Sequence, residues 1–456
     1  MRRTRMQNGI TLIVLIIIII VILILALVSI STLTGNEGIL TKVVKAKEVA
    51  ELAREKEMIE LAVINANIES KPGRLEENLK NELETGAKVK KVGKNFLVTL
   101  KNKNQYKIYC NGEIEYYDFK PMTSTSVFGK LDDDGILYLR SNNPDGSYRN
   151  YTNSSSITSE WNNNLSDPKV AVLKVKIEEP IAPNNGRNFF NGFSNLIEIE
   201  NIKNLHTENM ISMESMFYNC QKITELDVSD FDTSNSKEMN CMFWNCINVK
   251  KLDVSWFDTS QVSSMSWMFS GCRNINKLDL SNFDTSGVTT MKAMFGDMKI
   301  VETIDVTSFD TSQVTSMEVM FGGCEKLEKI DVSKFSVENC TNISKMFDNC
   351  SSIKELDLSS FNTNKLTKLQ NVFKNCASLE KINLNNLDTS NIVDTQNLFL
   401  KCTSLKELNL KNWDTRNVTA YAGMFLEVKA KIKLGPNWNY NIMASNTGYN
   451  GTLWNI

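Results

Sequence analysis

The chain has 456 residues, 51 basic and 53 acidic, for a formal net charge of −2, so no basic field argues for nucleic acid or an acidic substrate. A single histidine, His206, all but removes His-based triads and His-rich metal shells, and no glycine-rich phosphate loop of the usual spacing occurs. Catalysis would fall to acids arranged in a regular ladder, which makes a secreted hydrolase the weakest functional reading.

The N-terminus "MRRTRMQNG" carries three arginines and no acid, and from Ile10 to Leu33 there are 24 residues without a charge, dense in Ile, Leu and Val. As a helix that run is ~36 Å long, enough to cross a ~30 Å hydrocarbon core with some tilt. A cleaved secretory signal would have a shorter apolar region, so residues 1–36 are expected to stay as a single-pass anchor. The arginines favour a cytoplasmic N-terminus, with everything after Glu37 outside.

Gly9 followed by "ITLIVLIIIII", with "GNEGILTKVVKAKE" at 35–48, resembles the type IV pilin-like leader of many Gram-positive surface proteins. The resemblance implies cleavage after Gly9 by a prepilin peptidase and an apolar helix left as anchor. Pilus-forming members carry Glu five residues after the cut. Val14 stands there in this chain, which argues against the rival reading of a structural fibre subunit.

Residues 37–120 are expected to form a helical stalk with a small α+β domain. Val49, Leu52, Ile59 and Val63 fall on one helical face over 37–70, and "SKPG" at 70–73 breaks the helix. A second short helix is expected over 74–84, then strands in "NFLVTLKNKNQYKIYCNGEIEYYDF" with turns at Lys103-Asn104 and Asn111-Gly112. Cys110 reads as a strand cysteine with no histidine to activate it. Residues 121–189, rich in Asn, Ser and Asp, read as a β-rich connector and cap. In it "DDDG" is a β-turn without the spaced acids of a calcium loop, and "GILYLRS" and "VAVLKVKI" are strands.

From there the chain repeats. Phe returns every 26 residues at 217, 243, 269, 295, 321, 347, 373, 399 and 425, and an apolar residue does so at 226, 252, 278, 304, 330, 356, 382, 408 and 434. A degenerate unit at Phe190, Phe193, Leu196 and Ile199 precedes them, with one extra residue before Leu205. A fixed period in this range signals a solenoid whose units cover one another's apolar faces. Within a unit such as 223–231, Leu226 and Val228 point inward and Asp227 outward at the period of a strand. "DTS" makes a turn, and Met213, Met216 and Phe217 face inward from a short helical turn. His206 takes a turn position that other repeats give to Asp or Asn, and is expected in solvent.

The unit "MFxxCxxLxxLDxSxFDTSxVTxM" resembles the BspA-like leucine-rich bacterial surface repeat over about 245 residues. The resemblance implies a surface-attached adhesin or interaction module with no enzymatic site. The expected architecture is α/β: a right-handed leucine-rich-repeat-like solenoid with one parallel sheet at 190–435, a C-terminal cap or tail at 436–456, and the transmembrane helix and stalk before it. The expected partners are the membrane and an extracellular protein or glycan, without nucleic acid.

Three features of the repeat bear on a site. Cys220, Cys246, Cys272, Cys324, Cys350, Cys376 and Cys402 share one place in the unit, which Met298 and Val428 also take; a metal shell could not accept those, so the cysteines are expected as free thiols in the core. Asp227, Asp253, Asp279, Asp305, Asp331 and Asp357 form an outward column, continued by Asn383 and Asn409. Each Asp bonds its own turn, or the column attracts calcium or a basic partner. Trp244 and Trp267 sit where other repeats hold Asp, Lys or Gly. They are expected on one solvent-facing side of adjacent rungs, as a docking site or as cover packed on residues 121–189.

Overall fold

In the computed structural model the described residues are 39–69, 79, 82–83, 87–92, 95–102, 104–108, 114–117, 126–156, 168–445, 449 and 451–455. Gly9, the apolar run at 10–33, the break at 70–73 and Cys110 lie outside them. No helix among the described residues is long and apolar enough to cross a membrane. The described residues fall in two compact units divided near Phe119.

In the first unit, helix α1 (Ile39–Glu69) faces a sheet of order β1 (Lys88–Val92), β2 (Asn95–Thr99), β3 (Gln105–Ile108), β4 (Ile114–Tyr117). Strands β2–β3 and β3–β4 are antiparallel. The core joins Ile59, Ala62 and Val63 of α1 to Leu79, Leu83, Val98 and Tyr106, and the Tyr106 hydroxyl donates to Glu55 at 2.7 Å. Most of the second helix expected at 74–84 lies outside the described residues; Leu83 N–H donates to the Leu79 carbonyl, one helical turn. Val49 does not join the core: it is 65% exposed, because residues 44–51 of α1 are exposed on every side and offer it nothing to pack on.

The second unit opens with strands β5 (Phe128–Leu131), β6 (Ile136–Arg140), β7 (Arg149–Asn150), β8 (Lys174–Ile177) and β9 (Glu198–Glu200), in the order β7-β5-β6-β8-β9. The β5–β6 hairpin turns at "DDDG", where Gly135 takes φ +79 and the Asp132 carboxylate accepts the amides of Asp134 and Ile136. The strand expected at 170–177 begins only at Lys174, because Pro168–Ala171 is a 3-10 helix. From β6 onward the pairing is parallel, β6 with β8 and β8 with β9, and one core runs from Val127 to Ile442.

A solenoid of stacked turns follows. Ten Phe rings from Phe190 to Phe425 stack in file, each centroid 5.4 to 6.1 Å from the next. Phe231, Phe257, Phe283 and Phe309 lean on that file from the side. As expected, Leu226 and Val228 are buried and Asp227 is exposed.

Three expectations are corrected. First, the outward strand column is not one continuous sheet. It forms ladders at β10 (Glu355–Asp357) with β11 (Lys381–Asn383), and at β12 (Glu407–Leu410), β13 (Lys431–Leu434) and β14 (Leu453–Asn455), with lone bridges at Glu225–Lys251 and Thr303–Lys329. Along the column Asp side chains accept the amide two residues on, as Asp279 does from Ser281 and Asp357 from Ser359, and so end the extended stretch in a turn. Second, the 26-residue register ends before the last rung. Leu408 pairs with Ile432 and Leu410 with Leu434, so Leu434 takes the place of Leu410 rather than that of Leu408.

Third, the segment expected as a helical turn is a run of tight turns. Ser215 and Asn219 have φ 55 and 64, and the matching residues do likewise in every later rung. The amides alternate in direction. Those of Met216, Tyr218 and Cys220 bond three residues back, while those of Met213, Ser215, Phe217 and Asn219 donate to carbonyls of Glu238, Asn240, Met242 and Trp244 in the next rung. A helix would spend all these amides on itself; the turns leave half of them to hold the stack together. The left-handed residues carry a cost for L side chains that Gly271 and Gly323 escape, and the neighbouring side chains close in on these two glycines. A Cβ there would lie 2.3 Å from the side-chain oxygen of Asn245 or Asp297 in the preceding rung.

The buried Thr of "DTS" joins rungs as well. Thr311 Oγ1 donates to the Ser336 carbonyl at 2.9 Å and accepts the Ser336 amide at 2.8 Å. Exposed Thr315, four residues on, makes a single bond to the Thr289 carbonyl through its hydroxyl. Thr311→Val is therefore expected to cost about 1–2 kcal/mol, because it leaves two part-buried backbone groups of Ser336 without their partner, and Thr315→Val less than about 0.5 kcal/mol. Urea melts of the two variants check this; equal losses would remove the clip.

Candidate interaction surface

The repeat cysteines do not form a reactive site. All seven are free and buried, and their thiols donate to the carbonyl of the spine Phe in the preceding rung: Cys246 to Phe217 at 3.2 Å, Cys324 to Phe295 at 3.1 Å, Cys402 to Phe373 at 3.0 Å. Burial pushes the thiols of Cys272, Cys324 and Cys402 up to about 12, far from the thiolate a nucleophile needs. Cys241 and Cys340, outside the repeated place, are also free; Cys340 is buried and Cys241 half-buried.

The Asp column faces solvent. The Oδ1 atoms of Asp253, Asp279 and Asp305 each accept both the amide and the hydroxyl of the Ser or Thr two residues on. Asp227, Asp331 and Asp357 accept the corresponding amide of Ser229, Ser333 and Ser359. The side-chain bonds from Ser281, Thr307, Ser333 and Ser359 hold the carboxyls of Asp279, Asp305, Asp331 and Asp357 below the usual range, so these are ionised throughout the neutral range. Among the described residues no three His, Cys, Asp or Glu side chains converge to hold a metal ion. His206, expected in solvent, has a side chain only 15% exposed, 3.5 Å from Glu208.

Trp244 and Trp267 do meet, though not on a helix. Their rings stack with centroids 4.7 Å apart at 27°, and Tyr218 of the rung before meets Trp244 edge-on at 5.0 Å. The Lys292 ammonium lies 5.8 Å from the Trp267 ring centre and pairs with Glu318 at 2.8 Å, which extends the column over five rungs. All three aromatics are half-buried. Trp267 holds φ +63, the left-handed angle that this place of the repeat takes in every rung, whether it carries Cys241, Ala293, Val319, Lys345 or Asn371. Tyr218 was absent from the pair expected from sequence; its signal was that it stands one repeat before Trp244 at the same place.

A family model described as "Mycoplasma protein of unknown function, DUF285" matches residues 184–301, 264–381 and 350–447, together more than half of the chain. No curated protein matches. Among solved structures the chain is similar to a leucine-rich repeat protein from Eubacterium ventriosum ATCC 27560, with 17% identity over 67% of this chain and 93% of that one and a TM-score of 0.29. It is also similar to a leucine-rich repeat protein from Bacteroides ovatus ATCC 8483, with 12% identity over 75% and 100% of the two chains and a TM-score of 0.30. A third is the functional domain of InlJ from Listeria monocytogenes, which includes a cysteine ladder, with 15% identity over 59% and 75% and a TM-score of 0.16.

Proposed function

The chain belongs to the DUF285 family, and from that premise we propose that it is a surface-anchored binding protein whose solenoid holds out the Tyr218–Trp244–Trp267 column to an extracellular protein or glycan. The observation that carries this reading is the column itself. Stacked, half-exposed tryptophans occupy two positions that the repeat elsewhere fills with Asp, Lys, Ala or Gly. Packing of the repeat does not ask for them. Aromatic side chains concentrate binding energy at interfaces because they bury large area at little entropic cost. Anchoring rests on the uncharged run at 10–33 with arginines before it, and a pilin-like leader cut after Gly9 and a BspA-like adhesive role belong to the same reading.

The repeat supplies its own test. Trp267→Asn and Trp244→Lys install residues that other rungs carry at the same places, Asn371 and Lys374. The double variant is expected to change stability by less than about 1 kcal/mol, since both rings are half-exposed and other rungs carry the new residues at these places. It is expected to abolish capture of the intact chain, displayed on cells, by a panel of immobilised matrix proteins and glycans. Externally added protease should remove the displayed solenoid. Unchanged capture, with or without a drop in melting temperature, would leave the column as packing only.

A further inference from the structure

Tyr218, Trp244 and Trp267 close their ring faces on one another. Trp244 lies between Tyr218, 5.0 Å away, and Trp267, 4.7 Å away, and Lys292 of the following rung lies over the Trp267 ring at 5.8 Å. What these half-buried rings show to solvent is therefore chiefly their rims. A ring rim is electropositive where its face is electronegative, so it attracts acceptor atoms and gives no seat to the C–H groups with which a sugar lies on an aromatic face. The polar atoms of the rims have the same character. The Tyr218 hydroxyl and the indole N–H groups of Trp244 and Trp267 bond to no partner among the described residues, and all three reach solvent. An indole N–H is a donor only. The charged residues of the file alongside are spent on each other: Glu214 pairs with Arg187 at 3.1 Å and Lys292 with Glu318 at 2.8 Å, and Asn240 and Ser266 stand between them.

We propose that the column docks a proline-rich segment of a partner protein, held as a polyproline II helix with its carbonyl oxygens on the two indole N–H groups. The inference rests on reading the column as the binding site, and names its partner. Donor and acceptor complementarity selects the occupant. The column offers donors, electropositive rims and apolar carbon, with no unspent charge in the file beside it. A proline-rich chain offers the opposite set: its prolines have no backbone N–H, so its carbonyls are unpaired acceptors set in apolar surface. An ordinary extended peptide brings a donor N–H with every carbonyl, and a glycan brings hydroxyl donors with its acceptors, so both turn donors toward donors. One turn of polyproline II is ~9 Å long, about the span of three rings at these spacings. The segment also arrives already ordered, which lowers the entropy lost on binding.

The test titrates the intact chain, in detergent, into a dye-labelled peptide of ten prolines, with a peptide of alternating glycine and serine as control, read by fluorescence anisotropy. The proline peptide should bind and the control should not. Binding should hold at high salt, since no ion pair carries it. Trp244→Lys with Trp267→Asn should abolish it. Trp244→Phe with Trp267→Phe, which keeps aromatic rings but removes both N–H donors, should weaken it at least tenfold, with folding checked by circular dichroism. Tyr440→Ala, at an exposed aromatic outside the column, should leave it unchanged. Absence of binding, equal binding of the control peptide, unchanged binding by the Phe pair, or displacement by maltoheptaose would each overturn the proposal. If the proline peptide fails while the tryptophan variant still loses capture by the matrix panel, only this inference falls and the column remains the binding site. If that capture is unchanged as well, both fall.

Discussion

The solenoid is expected to unfold steeply as pH rises above about 9, from the titration of its thiol ladder. Burial raises all seven repeat thiols, three of them to about 12, whereas a thiol in the unfolded chain titrates near 8.5. A group whose folded pKa is raised gives its full stability below the unfolded value and loses it as pH climbs toward the folded one. Each thiol that ionises only when unfolded takes away about 1.4 kcal/mol per pH unit, so seven together take about 10 kcal/mol per unit, as much as a whole domain commonly has. Circular dichroism against pH should show a cooperative transition between about pH 9.5 and 11. Exposed lysines and tyrosines titrate in the same range, so the control is decisive. Replacing Cys324, Cys350 and Cys376 with Val, the residue at the same place in the last rung, should move the midpoint up and flatten the slope. An unmoved midpoint would refute the ladder as the cause.

Phe295→Ala is the second large effect. The ring is fully buried, stacked between Phe269 at 5.9 Å and Phe321 at 5.7 Å, with Phe309 at its edge. Truncation removes both stacking contacts and leaves a cavity that two rungs on each side cannot close without breaking their shared hydrogen bonds. The expected cost is about 3–5 kcal/mol. Because each rung touches only its neighbours, the loss falls on one interface of a nearly one-dimensional stack, and urea unfolding should split into two transitions. Phe425→Ala, near the C-terminal end of the file, should cost less and keep a single transition. A loss under about 1 kcal/mol at Phe295 would contradict the spine.

Which side of the repeat faces inward was readable from Leu226, Asp227 and Val228 because a strand alternates, and the core role of the cysteines from Met298 and Val428 because chemistry that needs sulfur cannot accept them. The turn run was misread as a helix because Met213, Met216 and Phe217 share a spacing that both structures satisfy. Backbone angles at Ser215 and Asn219 separate the two; Ser, Cys, Trp, Ala and Val at the first place give no glycine-like signal, whereas the Asn and Gly that prevail at the second, from Asn219 to Asn375, do carry one. The shortened last rung was hidden for a related reason: Ile432 and Leu434 are both apolar, and pairing, not composition, decides which faces Leu408.

The sequence by itself determined the period, the Phe file, the buried thiols and the outward acids, because each depends on one residue type returning at one interval. Tertiary structure alone decided which rungs bond to which and that Tyr218 joins the tryptophans. Those outcomes depend on contacts between residues about a repeat apart, where small differences in turn geometry choose whether an amide bonds within its own rung or to the next.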